Sequence, residues 1–278
     1  MRLAISNIAW DVAEDEAIAS LLHRYNVDAI DIVPGKYFPE PSKAKHQDIA
    51  RVKIWWAERG IEITGMQALF LGTSGLNMFG SSEIQMQMLQ HLDAVCHIGA
   101  GIGAKRLVFG APKNRDRSGL SDQETMYVAV AFFMRLGEIA LSHGVVICLE
   151  PTPTFYGANF MTTSAETLRI VEQVAHPSIQ MQLDTGVITI NGEDAETVLK
   201  DCAPRIGHIH ASEPDLLPLG SGGAKHSIFA EVIKKYLPKQ VVTIEMLASK
   251  NEPHTLSIER ALIQAILYYR DIDFGTSV

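Results

Sequence analysis

The protein has 278 residues, of which 47% are hydrophobic and 20% are charged, a composition typical of a globular protein with a large core. Lys and Arg number 24 and Asp and Glu number 32, so the formal net charge is −8, which disfavours a nucleic-acid backbone as the main partner. Cys96, Cys148 and Cys202 are too few and too far apart for a disulfide framework or a cysteine-rich zinc site, so we expect a reduced, cytoplasmic location.

The N-terminal segment shows no signal-peptide pattern, because Met1–Ser6 reads directly into a predicted strand. No apolar run reaches the ~20 residues that a helix needs to span a bilayer. We therefore expect no membrane and no nucleic acid among the partners. The sequence does not decide between a monomer and a homo-oligomer.

Short β-branched runs alternate with longer amphipathic segments along the chain, a pattern that indicates strands joined by helices. Eight runs are predicted to be strands: Leu3–Ile8, Asp28–Val33, Ile61–Met66, Arg106–Gly110, Val145–Glu150, Ile179–Asp184, Ile206–His210 and Val241–Met246. The clearest predicted helices are Glu14–Tyr25, His46–Arg59, Ser82–Ile98, Ser121–His143 and Ser164–Val174.

This repetition predicts an α/β fold, a (β/α)8 TIM barrel that forms a single domain over residues 1–278. Parallel strands need long crossovers, and eight strand–helix repeats of roughly 35 residues fit the ~250 residues of such a barrel. An open doubly wound sheet is the alternative, but it would normally carry a Gly-rich phosphate turn after its first strand. Asn7–Trp10 follows that strand instead.

Four consecutive predicted strands end in residues that bind metals or transfer protons. The fifth to eighth strands end in Glu150, Asp184, His210 and Glu245. Because the carboxyl ends of barrel strands meet at one rim, we expect these side chains to converge. Converging carboxylates raise one another's pKa unless a cation neutralises them. Three carboxylates and one imidazole suit one divalent metal ion: Mn²⁺, Mg²⁺, Co²⁺ or Zn²⁺.

Polar residues also precede two of these strand ends. Strand alternation places Gln182 on the same side as Asp184, and His208 on the same side as His210. We predict that Gln182 and His208 lie below the metal and orient its ligands. A polar barrel interior without that role is the alternative.

The sequence resembles the sugar isomerase/epimerase-like barrels related to xylose isomerase and endonuclease IV, over essentially the whole chain. The segments that carry the resemblance are Leu149–Pro151, Leu183–Gly186, His208–Pro214 and Thr243–Met246. The resemblance implies a metal site of Glu150, Asp184, His210 and Glu245. It also implies a small sugar-like substrate.

Two positions differ from the ketose 3-epimerases within that group. Those enzymes commonly carry a His three residues after the metal-binding Asp, where this chain has Val187. They also carry an Arg shortly after the seventh strand, which residues 213–217 lack. Both differences argue against 3-epimerisation of a free ketose. DNA repair is also disfavoured, because its three-metal site needs further His residues, one of them at the position of Val187.

Loop residues at the predicted rim are candidates for substrate binding. Lys113, Asn114 and Arg115 follow the fourth strand and are predicted to hold a phosphate or carboxylate of the substrate, unless they form a solvated loop. Glu213 and His226 follow the seventh strand and are predicted to line the pocket, although His226 otherwise caps a helix. Aromatic residues that stack on a sugar ring or simply pack are Trp10, Tyr37, Phe38, Phe70 and Tyr156.

Similar enzymes transfer protons through an enediolate, and the resemblance implies Glu150 and Glu245 as the acid/base pair. The prediction is a metal-dependent sugar isomerase or epimerase. One alternative is a metal-dependent dehydratase of a cyclitol or keto acid, because loss of a β-hydroxyl from the same enediolate is a lyase reaction. Another is a non-catalytic carbohydrate-binding barrel.

Overall fold

The computed structural model describes residues 1–270 and contains a closed barrel of eight parallel strands in sequence order. The strands are β1 Leu3–Ser6, β2 Ala29–Ile32, β3 Glu62–Met66, β4 Arg106–Phe109, β5 Val146–Leu149, β6 Ile179–Asp184, β7 Ile206–Ser212 and β8 Val242–Glu245. The α-helices are α1 Asp15–Arg24, α2 Pro34–Tyr37, α3 His46–Ala57, α4 Ser82–Ile102, α5 Asp122–His143, α6 Ser164–Val174, α7 Thr185–Asn191, α8 Ala195–Cys202, α9 His226–Tyr236 and α10 His254–Tyr269. The predicted (β/α)8 barrel is confirmed, and positions 271–278 of the predicted domain lie outside the described residues.

The C-terminal ends of β1 and β7 differ from the prediction by two residues, and the other strand ends agree with it to within one residue. β1 ends at Ser6 because Asn7–Ala9 forms a 3-10 turn, and the Ser6 hydroxyl accepts a hydrogen bond from the backbone N–H of Ile8 (3.3 Å). β7 continues to Ser212 because Ser212 still pairs with Glu245 of β8. Because of this extension, β7 continues for two residues beyond His210.

Helix α5 illustrates how the sequence sets the outer layer. The Ser121 hydroxyl accepts a hydrogen bond from the N–H of Glu124 (3.3 Å), and the Glu124 carboxylate accepts one from the N–H of Ser121 (2.8 Å). This reciprocal cap fixes the start of the helix. The helix ends at Gly144, whose φ of 68° is left-handed and therefore favours glycine.

Within residues 1–270, α5 is the one helix long and apolar enough to cross a membrane, judged by length and composition. Buried core helices of soluble proteins meet the same criterion. Here Phe132, Phe133 and Leu136 of α5 are buried in the hydrophobic core.

The interior of the barrel is polar where the strands approach the C-terminal rim. Asp31 of β2 contacts His208 of β7, although these strands are not neighbours in the barrel. Their contact therefore crosses the lumen. This polar lumen lies directly beneath the ends of the strands that carry the candidate site.

Candidate metal centre

The ends of β5, β6, β7 and β8 bring Glu150, Asp184, His210 and Glu245 together. One possible ligand atom from each of the four residues lies within 4.8 Å of the others. His210 Nδ1 lies 3.2 Å from Glu245 Oε2, 3.5 Å from Glu150 Oε1 and 3.9 Å from Asp184 Oδ2. The three acids line a cavity of about 400 Å³.

The electrostatics of this cluster indicate a need for positive charge. Burial, together with the charges of Glu245 and Glu150, raises the pKa of Asp184 to about 8. Burial alone would lower the pKa of the His210 imidazole, but the charges of Glu245 and Glu150 raise it well above its ordinary value. Both raised pKa values mean that Asp184 and His210 hold protons next to negative charge. A bound cation would neutralise that charge in place of the protons. Three carboxylates and one imidazole are donors that a divalent metal ion accepts, so the four residues fit such an ion.

Asp184 is held in place by groups from β6, β7 and α7. Its Oδ1 accepts hydrogen bonds from the Ser212 hydroxyl (2.7 Å) and from the N–H of Val187 (2.7 Å). The Thr185 hydroxyl donates to the carbonyl of Ser212 (2.7 Å). A Cβ at Gly186 would lie 2.8 Å from Ser212 Oγ, so glycine permits this close approach. Asp184 therefore both caps α7 and presents its other oxygen to the cluster.

Glu150 is positioned by the loop that follows β4. A Cβ at Gly110 would lie 1.8 Å from Glu150 Oε2, so only glycine leaves room for this carboxylate. The Arg115 guanidinium donates to the carbonyls of Glu150 (2.6 Å) and Gly110 (3.0 Å), and also to the Thr152 hydroxyl. Arg115 is therefore the brace that joins the loops after β4 and β5.

These contacts differ from the prediction that Asn114 and Arg115 hold an anion at the site, whereas the predicted role of Lys113 in substrate binding stays a prediction. Arg115 is fully buried and donates to the protein itself. The Asn114 amide donates to the carbonyl of Leu76 (2.8 Å). Lys113 lines a neighbouring cavity of about 630 Å³. The sequence placed the three residues in the correct loop but could not indicate the direction of their side chains.

Glu213 lines the cavity, as the sequence predicts, whereas His226 does not. Both side chains are buried. The Glu213 carboxylate accepts hydrogen bonds from the N–H groups of Gly220 (2.6 Å) and Ala224 (2.8 Å) and lies 3.2 Å from His226 Nε2. His226 Nδ1 is hydrogen-bonded to the Tyr269 hydroxyl (2.7 Å). The pair therefore anchors the loop after β7, because the Glu213 carboxylate forms its hydrogen bonds with that loop and with His226. Binding of substrate by either residue stays a prediction.

Gln182 and His208 lie next to His210, as the alternation of β6 and β7 predicts. With its amide oriented to satisfy both neighbours, Gln182 donates to the carbonyl of His208 (3.2 Å) and accepts from the N–H of His210 (3.1 Å). The His208 ring packs edge-on against the His210 ring, with centroids 5.2 Å apart. Their role in orienting a metal ligand stays a prediction.

The sequence analysis missed Asp31, which is fully buried in β2. Its Oδ2 lies 2.5 Å from His208 Nε2, and its Oδ1 accepts a hydrogen bond from the Thr64 hydroxyl (2.9 Å). A Cβ at Gly65 would lie 2.7 Å from the Asp31 carboxylate. The available signal was a charged residue in the apolar run Ala29–Ile32.

Asp31, His208 and His210 form a second group whose ligand atoms lie within 4.8 Å of one another. In this group Asp31 and His208 are hydrogen-bonded directly, at 2.5 Å. The acids of the four-residue cluster line the cavity, whereas Asp31 and His208 do not. An ion in the four-residue cluster would thus be accessible to a substrate.

Of the five aromatic candidates, Tyr156 lines the cavity. Its hydroxyl accepts a hydrogen bond from the N–H of Asp215 (2.7 Å). The others pack in the protein: Trp10, Phe38 and Phe70 are buried, and the Tyr37 hydroxyl donates to Asp15 (2.7 Å). Apolar lining residues that the sequence analysis did not identify include Val187, Leu216 and Leu247.

The chain matches the family model described as xylose isomerase-like TIM barrel over residues 19–270. An L-ribulose 3-epimerase from Methylomonas sp. (strain DH-1) is 26% identical over 132 residues, which cover 48% of this chain and 46% of that protein. An L-ribulose 3-epimerase from Mesorhizobium japonicum (strain LMG 29417 / CECT 9101 / MAFF 303099) is 24% identical over 134 residues, 48% of this chain and 45% of that protein. The chain therefore spans about half the length of the curated relatives it matches.

Solved structures share the fold over nearly the whole chain. D-psicose 3-epimerase from Clostridium cellulolyticum H10, solved with D-tagatose, has a TM-score of 0.80 and 16% identity, and the match covers 98% of this chain and 100% of that one. The IOLI protein, solved with a bound zinc atom, has a TM-score of 0.75 and 18% identity, with 97% and 98% covered. At these identities the likeness shows the fold alone.

The raised pKa of Asp184 predicts how stability depends on pH when metal is removed by a chelator. Between the ordinary value of 3.8 and about 8, the folded protein keeps a proton on Asp184 that the unfolded chain releases. Above pH 6.5, the ordinary pKa of histidine, the folded protein likewise keeps a proton on His210 that the unfolded chain releases. The free energy of unfolding should therefore fall as the pH rises from about 5.5 to about 8.

Chemical denaturation in the presence of a chelator measures this dependence. The Asp184→Asn variant cannot ionise at this position, so its free energy of unfolding should vary less with pH than that of the unmodified protein. A stability that is flat or rises over this range in the unmodified protein would contradict the described charge distribution.

Proposed function

We propose a function from the premise that this chain belongs to the family of xylose isomerase-like TIM barrels. The chain is an enzyme, a divalent-metal-dependent epimerase of a sugar or sugar derivative. The observation that carries this proposal is the convergence of Glu150, Asp184, His210 and Glu245 beside a cavity. Similarity to two L-ribulose 3-epimerases supports sugar epimerisation. The similarly folded IOLI protein was solved with a bound zinc atom, which supports metal binding by a protein of this fold.

The four residues are the proposed ligands of one divalent ion. Among Mn²⁺, Mg²⁺, Co²⁺ and Zn²⁺, a set of three oxygen donors and one nitrogen donor favours Mn²⁺. When bound, the ion would supply a Lewis acid that polarises a substrate carbonyl and stabilises negative charge on its oxygen. The proposed substrate is a small polyhydroxylated carbonyl compound.

Burial separates the four side chains into two pairs with different roles. Asp184 and His210 are 4% and 0% exposed at the side chain, whereas Glu150 and Glu245 are 16% and 12% exposed. Only the two glutamates present appreciable surface to a substrate in the cavity. One glutamate removes the proton from the carbon beside the carbonyl, which gives an enediolate, and the other returns a proton. Return to the opposite face of the same carbon gives the epimer.

The acid/base assignment predicts the behaviour of Glu150→Gln and Glu245→Gln. An amide cannot accept the proton, so each variant should lose turnover by roughly 10²–10⁴-fold while remaining folded. The measurement is incorporation of solvent deuterium into ketopentoses and ketohexoses in the presence of Mn²⁺, followed by mass spectrometry. Glu138→Gln, at an exposed position of α5, is the matched control and should exchange like the unmodified protein.

Near-normal exchange in either variant would remove that glutamate from the acid/base pair. A new ultraviolet-absorbing enone or keto acid in place of exchange would assign a dehydratase. Tight binding of a sugar with no exchange and no product would assign a binding protein.

The contact between Asp31 and His208 predicts a loss of metal affinity in Asp31→Asn. The amide removes the charge paired with His208, whose ring packs against His210, so the ligand His should lose part of its support. We expect Mn²⁺ to bind about 10–100-fold more weakly, measured by calorimetric titration. Asp15→Asn is the control, because Asp15 is another buried carboxylate, bonded to Trp10 and Tyr37. Equal Mn²⁺ affinity in both variants would limit Asp31 to a structural role.

A further inference from the structure

The charged side chains that line the cavity are all acidic within the described part of the chain: Glu150, Asp184, Glu213, Asp215 and Glu245. Arg115 lies close to Glu150, but it is fully buried and donates to loop carbonyls. One divalent ion would neutralise two of the three clustered carboxylates and leave the cavity negative. A phosphate or carboxylate on the substrate would therefore be repelled.

The cavity also has an apolar wall. Val187, Leu216 and Leu247 line it. The backbone N–H of Leu247 donates to the carbonyl of Leu216 (2.9 Å), which joins the loops after β7 and β8. The Tyr156 hydroxyl accepts from the N–H of Asp215 (2.7 Å), which joins the loop after β5 to the same wall. These bonds join the loops that carry Leu216, Leu247 and Tyr156.

Further exposed apolar side chains adjoin the lining residues. Leu247 is 47% exposed, and Leu217, next to Leu216, is 42% exposed. Phe155 is 69% exposed and packs edge-on against Tyr156, with ring centroids 5.3 Å apart. Exposed apolar side chains that adjoin a cavity mark a surface that an apolar ligand group covers. A sugar composed only of hydroxyl groups would leave this surface without a complementary partner.

We propose that the site takes an uncharged polyhydroxylated carbonyl compound that carries an apolar substituent at the end remote from the carbonyl. The orientation rests on the proposed function, which places the carbonyl at the metal centre. The apolar substituent then lies against Leu216 and Leu247 and reaches Phe155, which packs against the lining residue Tyr156. Deoxy sugars and sugars with an alkyl or aryl group at that end belong to this class.

The test compares three probes that differ only at the remote end: a free ketohexose, its 6-O-benzyl ether and its 6-phosphate. Their dissociation constants are measured by calorimetry with the Mn²⁺-loaded protein. Burial of part of the benzyl group should give binding about tenfold tighter than that of the free sugar, and the phosphate should bind most weakly. Equal or weaker binding of the ether, or tighter binding of the phosphate, overturns the proposal.

Substitutions in the apolar wall test whether its side chains cause the difference in affinity between the ether and the free sugar. Leu216→Ser and Leu247→Ser should each reduce the ratio between the affinities of the ether and the free sugar. Leu267→Ser, at an exposed position of α10, is the matched control and should leave the ratio unchanged. If Leu247→Ser instead splits an oligomer in sedimentation and leaves the ratio unchanged, the surface is a contact between subunits and the proposal fails.

Deuterium exchange with the same probes separates the two proposals. Selective binding of the ether without exchange into any probe leaves the ligand class intact and overturns the proposed function. Exchange into the free sugar without preference for the ether leaves the function intact and overturns the ligand class.

Discussion

The crowding of negative charge at one rim is the constraint on which the site depends. Glu150, Asp184 and Glu245 share a small space with one imidazole, and burial prevents water from screening them. The fold supports this arrangement with unusually specific backbone positions. Gly110 leaves room for Glu150, and the Ser212 hydroxyl holds Asp184. Without positive charge at the centre, these supports would hold together groups that repel one another.

Buried polar groups continue below the rim into the lumen. The buried His210 contacts two polar neighbours, because Gln182 accepts a hydrogen bond from its backbone N–H and the His208 ring packs edge-on against its ring. His208 in turn is paired with Asp31 across the barrel. Buried polar groups are costly unless they find partners. The polar side chains of the lumen therefore occupy space that apolar side chains would otherwise fill, and they form hydrogen bonds and ring contacts around His210.

The fold and the four converging residues were predictable because both follow from short-range patterns. Alternation within each strand and the regular return of strands and helices place Glu150, Asp184, His210 and Glu245 at equivalent heights. The directions of loop side chains depend on contacts that no periodicity describes. Arg115 turns inward and joins two loops, and the Glu213 carboxylate is bonded to the loop after β7. Asp31 escaped notice because its partner is 177 positions away in sequence.

The brace formed by Arg115 has a consequence for how this protein can be redesigned or can diversify. It joins the segments after β4 and β5 to each other and to Glu150, so replacement of either segment alone would disturb the candidate metal centre. The segments after β7 and β8 meet through the backbone at Leu216 and Leu247, and a change of side chain there leaves that bond in place. Experiments that seek a new ligand range should therefore exchange side chains in the segments after β7 and β8. They should leave the segments after β4 and β5 unchanged.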